Sequence, residues 1–218
     1  MDFIKETSIK EVEFHRFAHE VKNPLAICNG YLEIIKQHKK DHIQEYLEII
    51  QEEINRSLSI INDYSKAHDS KWLIEELDIN CLLEEVIHTY QNIFLENNGK
   101  IILLGKGEYY YHGDYEKLKQ VFMNIIKNAY EAKEEKQLLV VVQILSYKNY
   151  YQIIITDNGI GMDWQELEKV GSNYYTTKEN GTGLGVSFCK DVILKHRGNI
   201  FYQSKKHRGT RVIITLLK

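Results

Sequence analysis

Residues 14–25 hold three side chains whose types and spacing could carry out nucleophilic chemistry. His19 lies off the apolar face of a predicted helix, so we expect its imidazole to face water. Glu20 is adjacent and could take the imidazole proton, which would make the ring a better nucleophile. Asn23, one turn further on, could hold a water molecule for the reverse hydrolysis. The apolar face is formed by Phe14, Phe17, Val21, Leu25, Cys28, Leu32 and Ile35.

A histidine on a helix is more often an ordinary surface residue, and His15 has nearly the same local setting as His19. Pro24 is the only proline in the chain. Inside a helix it would remove a backbone hydrogen bond and cost about 3 kcal/mol, which suits a helix that must bend just past His19. The alternative is that Pro24 begins a second helix.

The composition is that of an ordinary globular chain of 218 residues with a formal net charge of −3. This charge predicts no binding to nucleic acid or to an anionic membrane. The three cysteines are far apart and have neither metal-site nor disulfide spacing, which fits a reducing, cytoplasmic setting. We expect no signal peptide and no membrane segment in this chain, so any membrane association would come from a sensor region absent from it.

Residues 1–70 read as two long helices joined by a polar turn at 37–42. Each helix has one apolar stripe and lacks a third helix to cover it. Two such hairpins, from two chains, would close a four-helix bundle, so the pattern predicts a homodimer. The alternative is that the hairpin packs on the second domain of its own chain.

Residues 71–218 show a different architecture, which begins near Leu77 after a charged linker at 66–76. Asn80 could cap the first helix and Asp114 could start the second. The alternation of strands and helices predicts a mixed sheet covered by helices, an α+β sandwich. The predicted helices are 80–97, 115–136 and 184–196, the predicted strands are 77–79, 101–104, 109–112, 138–145, 150–156, 199–204 and 210–217, and 159–183 reads as irregular.

Two polar motifs in this second domain could bind a nucleotide. Asn124 and Asn128 lie four residues apart on one helix face, beside Lys127. Amide oxygens suit Mg²⁺, although two such residues alone are weak evidence. Asp157 ends a strand and could accept a hydrogen bond from the exocyclic amine of adenine. The glycines at 159 and 161 would let the backbone approach a ligand, and the alternative is an ordinary Asp-Asn-Gly turn.

A third motif, residues 181–185 (Gly-Thr-Gly-Leu-Gly), leads into a helix. Backbone N–H groups at a glycine-rich helix start can cradle an anion such as a phosphate. It is not a Rossmann fingerprint, because no strand immediately precedes it, and the chain has no P-loop. Taken alone, the motif is weak evidence for a nucleotide site.

In combination, these motifs resemble those of the sensor histidine kinases. Residues 19–24, His-Glu-Val-Lys-Asn-Pro, resemble the phosphoacceptor box, and the three polar motifs resemble the N, G1 and G2 boxes of the GHKL-type ATP-binding domain. Residues 174–178, Tyr-Tyr-Thr-Thr-Lys, stand where these kinases carry an aromatic F-box. The resemblance covers nearly the whole chain and is strongest to the sporulation and nitrogen-regulation groups.

The resemblance implies a cofactor, Mg·ATP, and a role for each motif residue. Asn128 would be the Mg²⁺ ligand, Asn124 would lie beside the triphosphate, and Asp157 would bind the adenine amine. Gly159 and Gly161 would shape the start of the ATP lid. Contacts to the phosphate region would come from Lys178, Thr182, Gly183, Leu184 and Gly185. A basic residue often found three positions after Asn128 is Glu131 here, so Lys127 or Lys178 would supply that charge.

The implied function is ATP-dependent autophosphorylation on His19, followed by transfer to an aspartate of a response regulator receiver domain. Phosphatase activity involving Glu20 and Asn23 is compatible with the resemblance, as is a protein inhibitor or sensor partner on the helical bundle. One alternative is a non-catalytic phosphotransfer or scaffold dimer that retains the ATP-binding fold. A gyrase- or MutL-like ATPase is disfavoured by Asn124, where those enzymes carry a glutamate.

Overall fold

The computed structural model describes residues 2–37, 42–68, 71–105, 107–134, 136–172, 175–177, 183 and 185–218. In the first two helices, the side chains of residues 2–13, 16, 59, 62–63 and 66–68 lie outside this description. The described elements fall into two compact units. One unit is built from the first two helices, and the other contains all the remaining helices and strands.

The first unit is a hairpin of α1 (Asp2–Gln37) and α2 (Ile43–His68). The two helices are antiparallel, because contacts near the start of α1 go to the end of α2 and the reverse. Phe17 stacks on Tyr64 with ring centroids 3.9 Å apart, and Tyr31 lies 5.4 Å from Tyr46. The predicted helical hairpin is therefore confirmed.

Helix α1 runs through Pro24 without a break, so the alternative that Pro24 begins a second helix is wrong. The predicted single seam is also only partly right. Cys28 is buried against α2, whereas Leu25 and Leu32, from the same pattern, are 43% and 40% exposed. The apolar residues of α1 therefore serve two faces, one that packs on α2 and one that the hairpin leaves open.

The same division holds on α2, where Ile50 and Ile60 are buried. Among the described side chains of this helix, four large apolar ones remain exposed. They are Leu47, Ile54, Leu58 and Ile61. The hairpin thus carries an open apolar surface on both helices.

The second unit contains a five-stranded mixed sheet with strand order β2-β4-β5-β7-β6. Only the β2–β4 pair is parallel among the described strands. A separate antiparallel pair is formed by β1 (Ile74–Asp78) and β3 (Tyr110–Asp114). The strands of the sheet are β2 (Lys100–Leu104), β4 (Leu139–Ser146), β5 (Tyr150–Asp157), β6 (Asn199–Lys205) and β7 (Gly209–Leu217).

Helices cover one face of this sheet, as the alternating burial of its strands requires. Ile153 and Ile155 of β5 point into the core and contribute to the same cluster as Phe122 and Ile193. The helices of this unit are α3 (Ile79–Glu96), α4 (Tyr115–Glu131), α5 (Trp164–Lys169) and α6 (Gly185–Lys195), and the core residues that helices supply come from α3, α4 and α6. The predicted α+β sandwich is confirmed. Within the described residues, no helix is long and apolar enough to cross a membrane.

Three predicted boundaries were wrong. Asp78, rather than Asn80, caps α3, because its carboxylate accepts a hydrogen bond from the Asn80 backbone N–H. Helix α4 ends at Glu131 instead of near residue 136. Strand β1 begins at Ile74, inside the segment predicted as linker.

A short helix, α5, was not predicted at all. Its start is a capping box, in which Asp163 accepts from the Glu166 backbone N–H and Glu166 accepts from the Asp163 backbone N–H. The stretch around it is glycine-studded, which led to its interpretation as irregular.

His196 joins the end of α6 to the start of α4. Its imidazole is buried, Nε2 accepts a hydrogen bond from the Asp114 backbone N–H at 2.9 Å, and Nδ1 lies 2.8 Å from the Val192 carbonyl oxygen. These contacts require a neutral ring with its proton on Nδ1. Burial lowers the pKa of His196 from its ordinary value of 6.5, because the charged form is poorly solvated there.

We predict that acidification destabilises the protein partly through His196. Between the lowered folded-state pKa and 6.5, the unfolded chain binds a proton that the folded chain does not, so the free energy of unfolding falls as the pH drops below 6.5. His196→Asn should cost about 1–3 kcal/mol at pH 7 and should reduce the further loss on going to pH 5. Urea unfolding at both pH values measures this.

The matched control is His112→Asn, which changes an exposed histidine of the neighbouring strand β3. It should leave both the stability at pH 7 and the pH dependence close to those of the wild type. An unchanged pH dependence in His196→Asn would contradict the assignment of a buried neutral imidazole.

Candidate functional site

His19 lies on α1 with its side chain exposed, as do His15, Lys22 and Asn23. Glu20 is half-buried. The imidazole is therefore accessible to a reactant from solvent, and basic and amide side chains lie within one helical turn of it. This arrangement is suited to a nucleophile that meets an anionic group at the surface of the hairpin.

In the second unit, Asn124 links α4 to the first residue of α6. Its Oδ1 accepts a hydrogen bond from Gln120 Nε2 at 2.9 Å, and its Nδ2 donates to the Gly185 carbonyl oxygen at 3.4 Å. Asn128 is partly buried one turn further along α4. The motifs at 124–128 and 181–185 therefore meet through Asn124 and Gly185, which are 61 residues apart in the sequence.

Lys127 is exposed on α4, and its Nζ lies 3.8 Å from Glu131 Oε1. Glu131 stands where the resembled kinases often carry a basic residue. It is thus paired with Lys127, one of the two lysines that we expected to supply the missing positive charge. The pair neutralises part of the positive charge beside the two asparagines.

Asp157 ends β5 and is buried. Its Oδ1 accepts hydrogen bonds from the backbone N–H groups of Gly159 at 2.9 Å and Thr210 at 3.1 Å. Burial raises the pKa of Asp157, and the two backbone N–H groups oppose that rise. No hydrogen-bond partner of Oδ2 is found in the described part of the chain, so this oxygen can accept from a ligand amine.

The glycines around Asp157 are required by neighbouring backbone, a reason that the sequence did not reveal. At Gly159, an added Cβ would lie 2.3 Å from the Ala132 carbonyl oxygen. Gly161 has φ of +63°, and its Cβ would lie 2.2 Å from the Lys205 carbonyl oxygen. Both positions admit only glycine because the loop packs directly on other main chain.

Residues at the facing ends of β6 and β7 also support Asp157, and the sequence did not point to them. The Thr210 backbone N–H donates a hydrogen bond to Asp157 Oδ1. Gly209 has φ of +89°, and a Cβ added there would lie 2.0 Å from the Asp157 carbonyl oxygen. Ser204 Oγ donates to the Gly209 carbonyl oxygen and accepts from the Met162 N–H at 2.8 Å. A Gly-Thr pair at the end of a turn was visible in the sequence, but its contact to Asp157 spans 53 residues.

Three of the candidate residues lie outside the described residues: Lys178, Thr182 and Leu184. Gly183 is described and has φ of +66°. Of the aromatic segment, Tyr175 is described, and Lys169 Nζ lies 5.9 Å from the centre of its ring. The geometry of the expected phosphate cradle therefore rests here on Gly183 and Gly185.

The described residues fit an adenine nucleotide with its magnesium ion. One oxygen of a fixed, buried carboxylate is open to an amine, and an amide-bearing helix face meets a glycine-rich helix start. No group of three or more His, Cys, Asp or Glu side chains that could hold a metal ion is found among the described residues. The amide of Asn128 together with phosphate oxygens and water is the ligand set that Mg²⁺ commonly takes.

Two family models match the chain, one on each unit. Residues 12–68 match the His Kinase A (phospho-acceptor) domain. Residues 113–218 match the domain described as histidine kinase-, DNA gyrase B-, and HSP90-like ATPase. The first match includes His19, and the second includes all the polar residues of the nucleotide motifs.

Relatives with both units are found among bacterial sensor kinases. The chain is 31% identical to the sensor protein DegM of Bacillus sp. (strain B21-2) over 199 residues, which cover 91% of this chain and 52% of DegM. It is 31% identical to sporulation kinase B of Bacillus subtilis (strain 168) over 211 residues, covering 91% of this chain and 47% of that kinase. The chain thus spans about half the length of these relatives.

The fold is also that of a solved histidine kinase. The crystal structure of ThkA in complex with the response regulator protein TrrA matches with a TM-score of 0.80 at 23% identity, covering 98% of this chain and 63% of ThkA. With a phospho-acceptor domain followed by a kinase-type ATPase domain, the chain belongs to the histidine kinase family.

Proposed function

We propose that this chain is an ATP-dependent protein-histidine kinase that phosphorylates itself on His19 and passes the phosphoryl group to an aspartate of a response regulator. The observation that carries the proposal is the presence, in one chain, of an exposed histidine in a phospho-acceptor domain and of an ATPase domain with an open carboxylate oxygen at Asp157. The intact nucleotide motifs favour this reading over a scaffold that has lost catalysis.

The exposed imidazole of His19 is the nucleophile. Its ring nitrogen forms the new bond to the γ-phosphorus of ATP while the bond from that phosphorus to the β,γ-bridging oxygen breaks, and ADP leaves with the electron pair. The attacking nitrogen is the unprotonated one, and the proton on the other ring nitrogen passes to Glu20, the adjacent carboxylate. Glu20 is the next residue on the same helix and is half-buried.

The nucleotide is held by the second unit. Asp157 would accept a hydrogen bond from the adenine amine, Asn128 would ligate Mg²⁺, and Asn124 would lie beside the triphosphate. The magnesium ion would neutralise charge on the phosphate oxygens. Gly183, Gly185, Lys178, Thr182 and Leu184 would surround the phosphates. An amide at position 124 cannot act as a general base towards water, which suits an enzyme that transfers the phosphoryl group to protein instead of hydrolysing ATP.

The partners we propose are a second copy of the chain and a receiver domain. The open apolar surface on α1 and α2 would be covered in a homodimer, because two such hairpins bury it in a four-helix bundle. ThkA, whose fold this chain shares, has been crystallised with a response regulator protein. A receiver domain would dock on the hairpin around His19, where Glu20 and Asn23 could also support removal of the phosphoryl group.

We predict that His19→Gln abolishes covalent labelling by γ-labelled Mg·ATP, because the nucleophile is removed. His15→Gln is the matched control, since His15 is also exposed and lies one turn earlier on the same helix. It should retain label at a level similar to the wild type. Stable label in His19→Gln, or loss of label in His15→Gln alone, would contradict the assignment.

We predict that Asp157→Asn weakens binding of Mg·ATP by about 10- to 100-fold, the range expected when a hydrogen bond to a charged group is lost. Isothermal titration calorimetry measures the affinity, and gel filtration checks that the oligomeric state is unchanged. Asp191→Asn is the control, because it neutralises a carboxylate of α6 whose pKa is also raised by burial. Equal ATP affinity in all three proteins would rule out Asp157 as the adenine-binding residue.

A further inference from the structure

The loop that follows Asp157 is held by backbone hydrogen bonds to two other segments of the chain. The Ile160 N–H donates to the Ala132 carbonyl oxygen at 2.8 Å, and the Ile160 carbonyl oxygen accepts from the His207 N–H at 2.6 Å. Ala132 is the C-cap of α4, and His207 lies in the turn between β6 and β7. Ile160 is therefore a backbone link between the end of α4 and that turn.

A side-chain pair closes this link into a ring. His207 Nδ1 lies 2.8 Å from Glu134 Oε1, and Glu134 follows the C-cap of α4 by two residues. The hydrogen bond to His207 is the largest cause that lowers the pKa of Glu134, with a smaller contribution from Lys136. The same two segments that hold Ile160 through their backbones thus hold each other through their side chains.

Both of these segments also make a hydrogen bond to a residue of the nucleotide site. On one side, the Ala132 N–H donates to the Asn128 carbonyl oxygen at 3.0 Å. On the other side, Thr210, three residues after His207, donates to Asp157 Oδ1. A shift of the turn relative to the end of α4 would therefore change the separation of the adenine-binding carboxylate and the magnesium-binding amide.

We propose that Glu134 and His207 are positioning residues for the nucleotide, which fix the spacing between Asp157 and the Asn128 end of α4. Neither side chain has to touch the nucleotide. The inference rests on the proposed function, because it concerns the site that binds ATP. Its effect is to raise affinity for the adenine nucleotide and to sharpen the preference for adenine over guanine, which lacks an amine at that ring position.

The test is a double-mutant cycle on the whole chain with Glu134→Gln, His207→Asn and the double variant. Asparagine is chosen at 207 because His207 has φ of +60°, a conformation that asparagine tolerates. Calorimetry with Mg·ADP and Mg·GDP measures affinity and base selectivity without phosphoryl transfer, and thermal unfolding records stability in parallel.

Each single variant should bind Mg·ADP about two- to fivefold more weakly, the range that exposed ion pairs contribute, and should show a smaller ADP to GDP preference. The double variant should bind Mg·ADP about as well as the single variant that has the lower affinity. His42→Asn is the matched control: His42 also has positive φ and pairs with a glutamate, Glu45, at 3.1 Å, but lies at the start of α2. It should bind both nucleotides as the wild type does.

Unchanged affinity and selectivity in both single variants would overturn the inference and leave the proposed function standing. If the fold-loss in Mg·ADP affinity of the double variant equals the product of the two single fold-losses, the inference is also overturned, because the two residues would then act independently. A lower unfolding temperature without any change in base selectivity would also overturn the inference, because the pair would then have only a structural role. Failure of the wild type to bind Mg·ADP would overturn the proposed function itself, and this inference with it.

Discussion

The buried carboxylate of Asp157 is the constraint on which the nucleotide-binding unit depends. Burial raises the cost of its charge, and two backbone N–H groups on Oδ1 offset that cost. To deliver them, a distant turn must approach so closely that only glycine fits at position 209. The carboxylate is thus fixed before a ligand arrives, so little ordering entropy is lost on binding an adenine amine.

Helix α4 connects this carboxylate to the rest of the site. Its start is capped by Asp114 and tied to His196, its middle carries Asn124 and Asn128, and its end holds the loop after Asp157. The groups that would hold the nucleotide are therefore parts of one packed unit, whereas His19 belongs to the other. Because phosphoryl transfer depends on placing the nucleophile and the donor in line, we propose that motion of one unit relative to the other controls the reaction.

The sequence predicted what depends on local pattern and missed what depends on long-range packing. Helical periodicity identified α1 and α2, and the strand alternation identified the sheet. Periodicity could not tell which apolar residues of α1 face α2. The residues that pack on α2 and those that stay exposed follow the same spacing of three and four residues. The polar candidates followed from motif resemblance, but the contact from Thr210 to Asp157 and the backbone packing at Gly159 join segments far apart in sequence, where local pattern carries no information. The capping box of α5 was readable, yet the surrounding glycines obscured it.

The most direct test of the central claim is the chemistry of the phosphorylated residue in the wild-type chain. The protein is incubated with γ-labelled Mg·ATP, and the label is followed in acid and in base before the modified residue is located by mass spectrometry under neutral conditions. A phosphoramidate on His19 should be lost in acid, survive in base and map to the peptide that contains residue 19. Label that survives acid, or that maps to a serine, threonine or tyrosine, would contradict the account.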